Sequence, residues 1–277
     1  MSYLRRKRLL LRRELEATGG LMVAFSGGVD SAFLLAAAAE ALGPRAVAAT
    51  GVSPSLAASE LEDARALAAE LGVRHLEVQT REQERPGYLA NGPDRCYFCK
   101  SELFDVLLPL ARQEGLALAV GTNTDDLGDW RPGQRAAAER GVITPLVTAG
   151  FSKAEVREAS REMGLRTHDK PAAACLASRV AYGIQVTPAR LSRVERAEAL
   201  LRSLGVAQLR VRDHGDLARV EVPVEALPEL VRGDARERLV RGLRDLGFAY
   251  VTLDLEGFRS GSMNARLAAV PEAGRPR

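Results

Sequence analysis

The sequence predicts an α/β fold, a doubly wound parallel sheet followed by a smaller C-terminal α+β domain. Three observations carry that expectation. Short apolar runs alternate with helix-period segments from Leu21 to about Met163, the pattern of strand–helix units that build a parallel sheet. The first apolar run passes through a Gly-rich turn, Ser26-Gly27-Gly28-Val29-Asp30-Ser31, directly into an Ala/Leu-rich helical stretch. Beyond Thr187 the pattern changes to helix, hairpin, helix and strand.

In chain order, the basic and leucine-bearing N-terminus reads as an amphipathic helix, too short in its apolar run for a secretory core. Leu21 to Phe25 reads as a strand and Ala32 to Leu42 as a helix. Ala46 to Val52 is a second strand, Ser55 to Leu71 a helix closed by Gly72, and Arg74 to Gln79 a third strand. Ser101 to Gln113 reads as a helix before Gly115, Leu116 to Val120 as a strand and Gly141 to Leu146 as a short further one. Ser152 caps a helix running to Met163, with Glu155 three positions on completing a capping box. Asp169 to Thr187 is irregular and separates two domains, residues 1–170 and 171–277. A helix follows from Pro188 to Leu204. The stretch 209–222 then alternates with period two across His214-Gly215, a hairpin that puts Arg210 and Arg212 on one face with Arg219 and Glu221 opposite. A helix over Glu229 to Leu246 and a strand over Phe248 to Leu255 complete an α-β-β-α-β unit. No internal repeat is present.

A chain of 277 residues with net charge +3 has ample core and too little charge to imply nucleic-acid binding by itself. No apolar run approaches the roughly 18 residues of a membrane span, and the expectation is a cytoplasmic protein. Of the basic residues 35 are Arg and four are Lys, and three of those four, Lys100, Lys153 and Lys170, fall in or beside motifs.

The Gly-rich turn carries the chemistry of the first domain. The first amides of a helix lack intrahelical partners and carry its positive dipole end, so a phosphate fits there. Gly27 and Gly28 let the backbone approach, Ser26 and Ser31 add hydroxyls, and Asp30 is placed to hold magnesium against phosphate oxygens. The Lys that a Walker A loop needs before its Ser or Thr is missing. Gly121-Thr122-Asn123-Thr124-Asp125-Asp126 follows a later strand, with Asp129-Trp130-Arg131-Pro132 behind. Its carboxylates suit magnesium or ribose hydroxyls, or simply a turn and helix cap. Gly257 to Asn264, with Arg259 and Ser260, is a small-residue loop that fits a second phosphate pocket.

Three cysteines, an odd number, argue against a disulfide framework. Cys96 and Cys99 form a CxxC, and Cys175 lies in Lys170-Pro-Ala-Ala-Ala-Cys-Leu-Ala-Ser-Arg179, all in loops expected on the nucleotide rim of the sheet. The set fits zinc if His168 is a fourth ligand, a [4Fe-4S] cluster with one open iron, a Cys175 nucleophile or sulfur donor, or three unrelated core thiols.

The hexapeptide resembles the PP-loop of ATP pyrophosphatases. Together with 94–100, 121–132, 170–183, 210–216 and 256–264, it makes the chain resemble the LarE family of ATP-dependent sulfurtransferases. The resemblance implies adenylation of a carboxylate of pyridinium-3,5-biscarboxylic acid mononucleotide, with release of pyrophosphate. Replacement of AMP by sulfur follows, in biosynthesis of the nickel-pincer nucleotide of lactate racemase. It implies ATP and Mg2+ at Ser26, Gly27, Gly28, Val29, Asp30, Ser31, Thr122 and Asp125. It implies ligand contacts from Arg210, Arg212, Arg259 and Ser260, and catalytic roles for Asp30, Cys175, Ser178 and Arg179. In one branch of the family a single cysteine gives up its sulfur, and in the other three cysteines hold a [4Fe-4S] cluster. Cys96, Cys99 and Cys175 place this chain in the cluster branch, with sulfide and the mononucleotide as small-molecule partners and a homo-oligomeric state. The rival expectations are a sacrificial Cys175, a tRNA-thiolating PP-loop enzyme, a PP-loop amidotransferase or ligase, and a nucleotide-binding module with structural zinc.

Overall fold

The computed structural model of the chain describes residues 3–128, 132–171 and 174–259. They fall into two compact units, the described residues of 3–85 with those of 94–171, and residues 86–93 with 174–259.

In the first unit α1 (Tyr3–Thr18) leads into β1 (Leu21–Ala24), α2 (Val29–Leu42), β2 (Ala46–Val52), α3 (Ala58–Glu70) and β3 (Arg74–Gln79). After α4 (Pro86–Leu89), which belongs to the second unit, come α5 (Arg95–Gln113), β4 (Ala117–Ala119), α6 (Pro132–Glu139), α7 (Pro145–Thr148) and α8 (Lys153–Glu162). The four strands are parallel in the order β3-β2-β1-β4, with Leu21 opposite both Ala46 and Ala117. Strand alternation divides the core. Leu21, Val23, Ala46 and Ala48 pack on one face with α2, while Met22, Ala24, Val47 and Ala49 pack on the other with Phe104 and Leu107 of α5. Because both faces are covered, β1 is buried throughout and reads as a continuous apolar run. Helix α2 is buried on most of its surface, with Phe33 against Phe151 at 5.2 Å between ring centroids. The capping box at Ser152 and Glu155 is present, and Lys7 bridges from α1 to Glu155 at 2.7 Å.

Three expectations for this unit need correction. The stretch 141–146 supplies only a single parallel bridge, Ile143 to Ala119, because Pro145 opens the helical turn α7 instead. Helix α5 begins at Arg95 rather than Ser101, so Cys96 and Cys99 lie in its first two turns and not in a loop. Contacts remote in sequence make that stretch helical: Tyr97 donates to Glu139 Oε2 at 2.6 Å and lies under the Arg135 guanidinium at 4.3 Å. Helix α2 also starts early, at Val29, which puts Asp30 and Ser31 inside its first turn.

In the second unit α9 (Pro188–Ser203), β5 (Arg210–Asp213), β6 (Leu217–Glu221), α10 (Leu227–Leu230), α11 (Gly233–Asp245) and β7 (Tyr250–Leu253) build a sheet of order β5-β6-β7. The hairpin register pairs Arg210 with Glu221 and Arg212 with Arg219, and β7 joins β6 in parallel. Val211, Val220, Leu201 and Leu243 are among its fully buried core residues. The helix expected over 229–246 is split into α10 and α11, and Gly233 at φ 49° opens the second piece. The last strand is shorter than expected, since Phe248 turns into the core and Tyr250 N pairs with Asp216 O. The segment 86–93 joins this unit through Asn91, whose Nδ2 donates to the carbonyls of Ala181 and Ile184, both at 2.9 Å.

Candidate active site

In the first unit the turn from β1 to α2 is built as a phosphate cradle. Gly27 has φ 69°, a conformation a side chain disfavours, and a Cβ there would meet Ala64 of α3 at 3.4 Å. Gly28 is extended at φ −81° and caps α2 without a side-chain bond, so only one of the two glycines uses positive φ. Ser31 Oγ donates to Gly28 O at 3.1 Å and stands 3.1 Å from Ser26 Oγ, which orients both hydroxyls on the turn. The first-turn amides of α2, Val29 among them, point out of the helix as the anion-binding end.

The loop after β4 closes against this turn. A Cβ on Gly121 would lie 2.8 Å from both Asp30 C and Ser31 N, so only glycine lets the two loops touch. Thr122 follows, half-buried. Asn123 Nδ2 donates to Asp30 Oδ1 at 3.1 Å, and Lys153 Nζ lies 2.5 Å from Asp30 Oδ2. Asp125 Oδ2 accepts from Lys153 N at 3.0 Å, whereas Asp126 turns back to accept from Asn123 N at 3.1 Å and serves the turn. The structure therefore unites Ser26, Asp30, Ser31 and Asp125 and adds Asn123 and Lys153, whose approach to Asp30 no local sequence pattern announces. The ammonium that a Walker A loop carries in its own sequence arrives here from the first position of α8.

Beneath the cradle, Thr50 donates to Phe25 O at 2.7 Å and stands 2.8 Å from His75 Nε2. With the hydroxyl proton spent on Phe25, His75 donates from Nε2, and burial holds its pKa below the usual value.

In the second unit a short 3-10 turn, Leu176–Arg179, follows Cys175 and holds it by its carbonyl. That oxygen accepts from Ser178 Oγ at 2.7 Å and from Arg179 at 3.1 Å, while the Cys175 side chain is exposed. Arg179 and Glu198, both buried, pair at 2.9 Å, and Arg179 also holds the Ala174 carbonyl. Arg212 donates to Glu221 at 2.7 Å and to Ser178 O at 3.3 Å. Burial first, then repulsion from Arg179, lowers the Arg210 pKa to about 10, and its guanidinium lies 5.1 Å from the Phe258 ring. Cys175, Ser178, Arg179, Arg210 and Arg212 thus form one neighbourhood, in which Glu198 and Glu221 stand among the guanidiniums. Arg259 is exposed and pairs with Glu256, and Ser260 lies outside the described residues, as do Asp129, Trp130 and Arg131.

The three cysteines are divided between the two units. Cys96, exposed, and Cys99, half-exposed, share one face of α5 in the first unit, and Cys175 belongs to the second. Among the described residues no group of three or more His, Cys, Asp or Glu side chains comes together as a metal site. His168 Nδ1 stands 3.0 Å from the Leu165 carbonyl. No helix among the described residues is long and apolar enough to cross a membrane.

Residues 11–91 match the asparagine synthase family. An uncharacterized protein of Synechocystis sp. is 50% identical over 88% of this chain and 91% of its own length. The pyridinium-3,5-bisthiocarboxylic acid mononucleotide synthase of Lactiplantibacillus plantarum is 38% identical over 96% of this chain and 97% of its own. An uncharacterized protein of Methanocaldococcus jannaschii is 30% identical over 62% of this chain. A cradle of PP-loop type, and an alignment with a named synthase that spans both units, lead to one assignment: the chain belongs to the LarE family of ATP-dependent sulfurtransferases.

Proposed function

We propose that the chain uses ATP to adenylate a carboxylate of a pyridinium mononucleotide and then exchanges AMP for sulfur, giving the thiocarboxylate of the nickel-pincer precursor. The observation that carries this reading is the near full-length identity to the synthase of that name, joined to an intact Ser26–Ser31 cradle.

A substrate carboxylate oxygen attacks the α-phosphorus of ATP, the bond to the bridging oxygen breaks, and pyrophosphate leaves. Amides at the start of α2 and the Ser26 and Ser31 hydroxyls meet the charge that develops on the phosphates. Mg2+ would be held by Asp30, whose two oxygens face Asn123 and Lys153 in the free chain. Displaced from that carboxylate, Lys153 is free to turn its ammonium to the phosphates. In the second unit Arg210 and Arg212 would bind the phosphate of the mononucleotide, a match of guanidinium to phosphate geometry. Ser178 and Arg179 hold the Cys175 carbonyl and so orient that residue.

The thiols fit an iron–sulfur cluster by chemistry, since Cys96 and Cys99 offer paired donors one helical turn apart and Cys175 a third, exposed one. These three would hold a [4Fe-4S] cluster, which supplies sulfide through its open iron. The second reading rests on Cys175 alone. Its Sγ attacks the acyl carbon as AMP leaves; loss of the Cα proton and cleavage of the Cβ–S bond then yield thiocarboxylate and dehydroalanine. A homo-oligomer belongs to the same family reading.

Turnover with ATP, magnesium, mononucleotide and sulfide tests the choice. The cluster reading expects several products per chain at constant polypeptide mass, with iron and acid-labile sulfide in anaerobic protein. A chain lighter by about 34 Da after one turnover, the loss of H2S, with Cys96 and Cys99 dispensable, would overturn it.

A further inference from the structure

The segment that carries Cys175 leaves the first unit at a double clamp. Lys170 Nζ lies 2.9 Å from Glu60 Oε2 and 3.0 Å from Asp63 Oδ2, both on α3, and its side chain is only 18% exposed. The backbone is tied at the same place. Arg157 donates to the carbonyls of His168 at 2.8 Å and Lys170 at 3.0 Å, and Lys170 N donates to Thr167 O at 3.0 Å.

Helix α3 is also the support of the phosphate cradle. Ala64, the residue after Asp63, is the atom group that a Cβ on Gly27 would touch at 3.4 Å. Adjacent residues of one helix therefore hold Lys170 and back the PP-loop. Five peptide links join Lys170 to Cys175, so even a fully extended chain spans no more than about 18 Å between their Cα atoms. On the far side Cys175 is fixed by its carbonyl bonds to Ser178 and Arg179.

We propose that Lys170 is a positioning residue for sulfur transfer, anchoring the tether of the Cys175 segment to the helix that backs the ATP-phosphate loop. The proposal rests on the reading that Cys175 takes part in delivering sulfur. Burial works against the charged ammonium, and the two carboxylates outweigh that cost and raise its pKa, so the clamp stays charged across the physiological range. Without the clamp the first-unit end of this segment is held by the Arg157 bonds alone, which lowers the effective concentration of the sulfur-bearing segment at the activated carboxylate. Adenylation needs none of these contacts.

The test compares Lys170→Met with wild type in the full chain, reading pyrophosphate and thiocarboxylate together. Pyrophosphate release should stay within about twofold while thiocarboxylate formed per pyrophosphate falls about tenfold or more, the balance appearing as AMP from hydrolysis. Lys170→Arg should restore most of the ratio. An unchanged ratio in Lys170→Met, or both products falling in parallel with thermal stability, overturns the proposal. Should Lys170→Met not fold, the pair Glu60→Gln with Asp63→Asn removes the clamp from the other side and reads the same ratio. Should wild type release no pyrophosphate with the mononucleotide, the functional reading fails instead. Amide exchange over 168–176 then decides on the anchor: faster exchange without the clamp supports it, and unchanged exchange overturns it.

Discussion

Gly121→Ala is the sharpest perturbation of the cradle, because it adds one methyl and no charge. The methyl carbon would stand 2.8 Å from Asp30 C and Ser31 N and 3.0 Å from Asp30 O, all backbone atoms of the first turn of α2. Carbon contacts settle near 3.5 Å, so the loop after β4 must retreat by about 0.7 Å from the cradle. Overpacking of this kind costs about 1–3 kcal/mol, which lowers Tm by roughly 2–10 °C in a chain of this size. The retreat carries Asn123 away from Asp30, and a misplacement approaching 1 Å can cost about 100-fold in rate. Gly128→Ala is the control in the same loop, since a Cβ there meets nothing within 4 Å. Pyrophosphate release should fall 10- to 100-fold for Gly121→Ala, by that same displacement argument, and stay near wild type for Gly128→Ala. Equal rates in the two variants would refute the claim that the Gly121 contact sets the cradle.

Other outcomes follow from the same geometry. His75 has a folded-state pKa below its unfolded value, so the unfolded chain takes up a proton first as pH falls through about 6.5, and stability is lost there. His75→Gln should flatten the Tm profile between about pH 5 and 7. Arg210→Ala should raise the mononucleotide KM about tenfold or more, the value of one charge-assisted bond, with the ATP KM nearly unchanged in steady-state assays. Glu198→Gln strips the buried Arg179 guanidinium of its counter-charge, and urea unfolding should show a loss of about 3–5 kcal/mol.

The local signals in the chain proved legible where one short stretch decides the structure. Ser26–Ser31, the Ser152–Glu155 capping box and the Arg210–Glu221 register each need only neighbours in sequence and a period of two or 3.6. What stayed hidden depends on partners far along the chain. Lys153 meets Asp30 across 123 positions, and no local pattern announces that contact. The CxxC stretch turns helical because Tyr97 packs onto α6 some forty residues later, and 86–93 joins the second unit through Asn91 contacts near residue 181. Pro145 was a readable warning against a strand, since proline suits the first position of a helical turn.

The central claim is that a carboxylate is activated as its acyl adenylate at the Ser26–Ser31 cradle. Mononucleotide carrying 18O in its carboxylates tests this directly. If a carboxylate oxygen attacks the α-phosphorus and sulfur later displaces AMP at carbon, the AMP released must carry 18O, one label for each sulfur installed. Unlabelled AMP, or ADP with phosphate in place of AMP with pyrophosphate, would contradict the account.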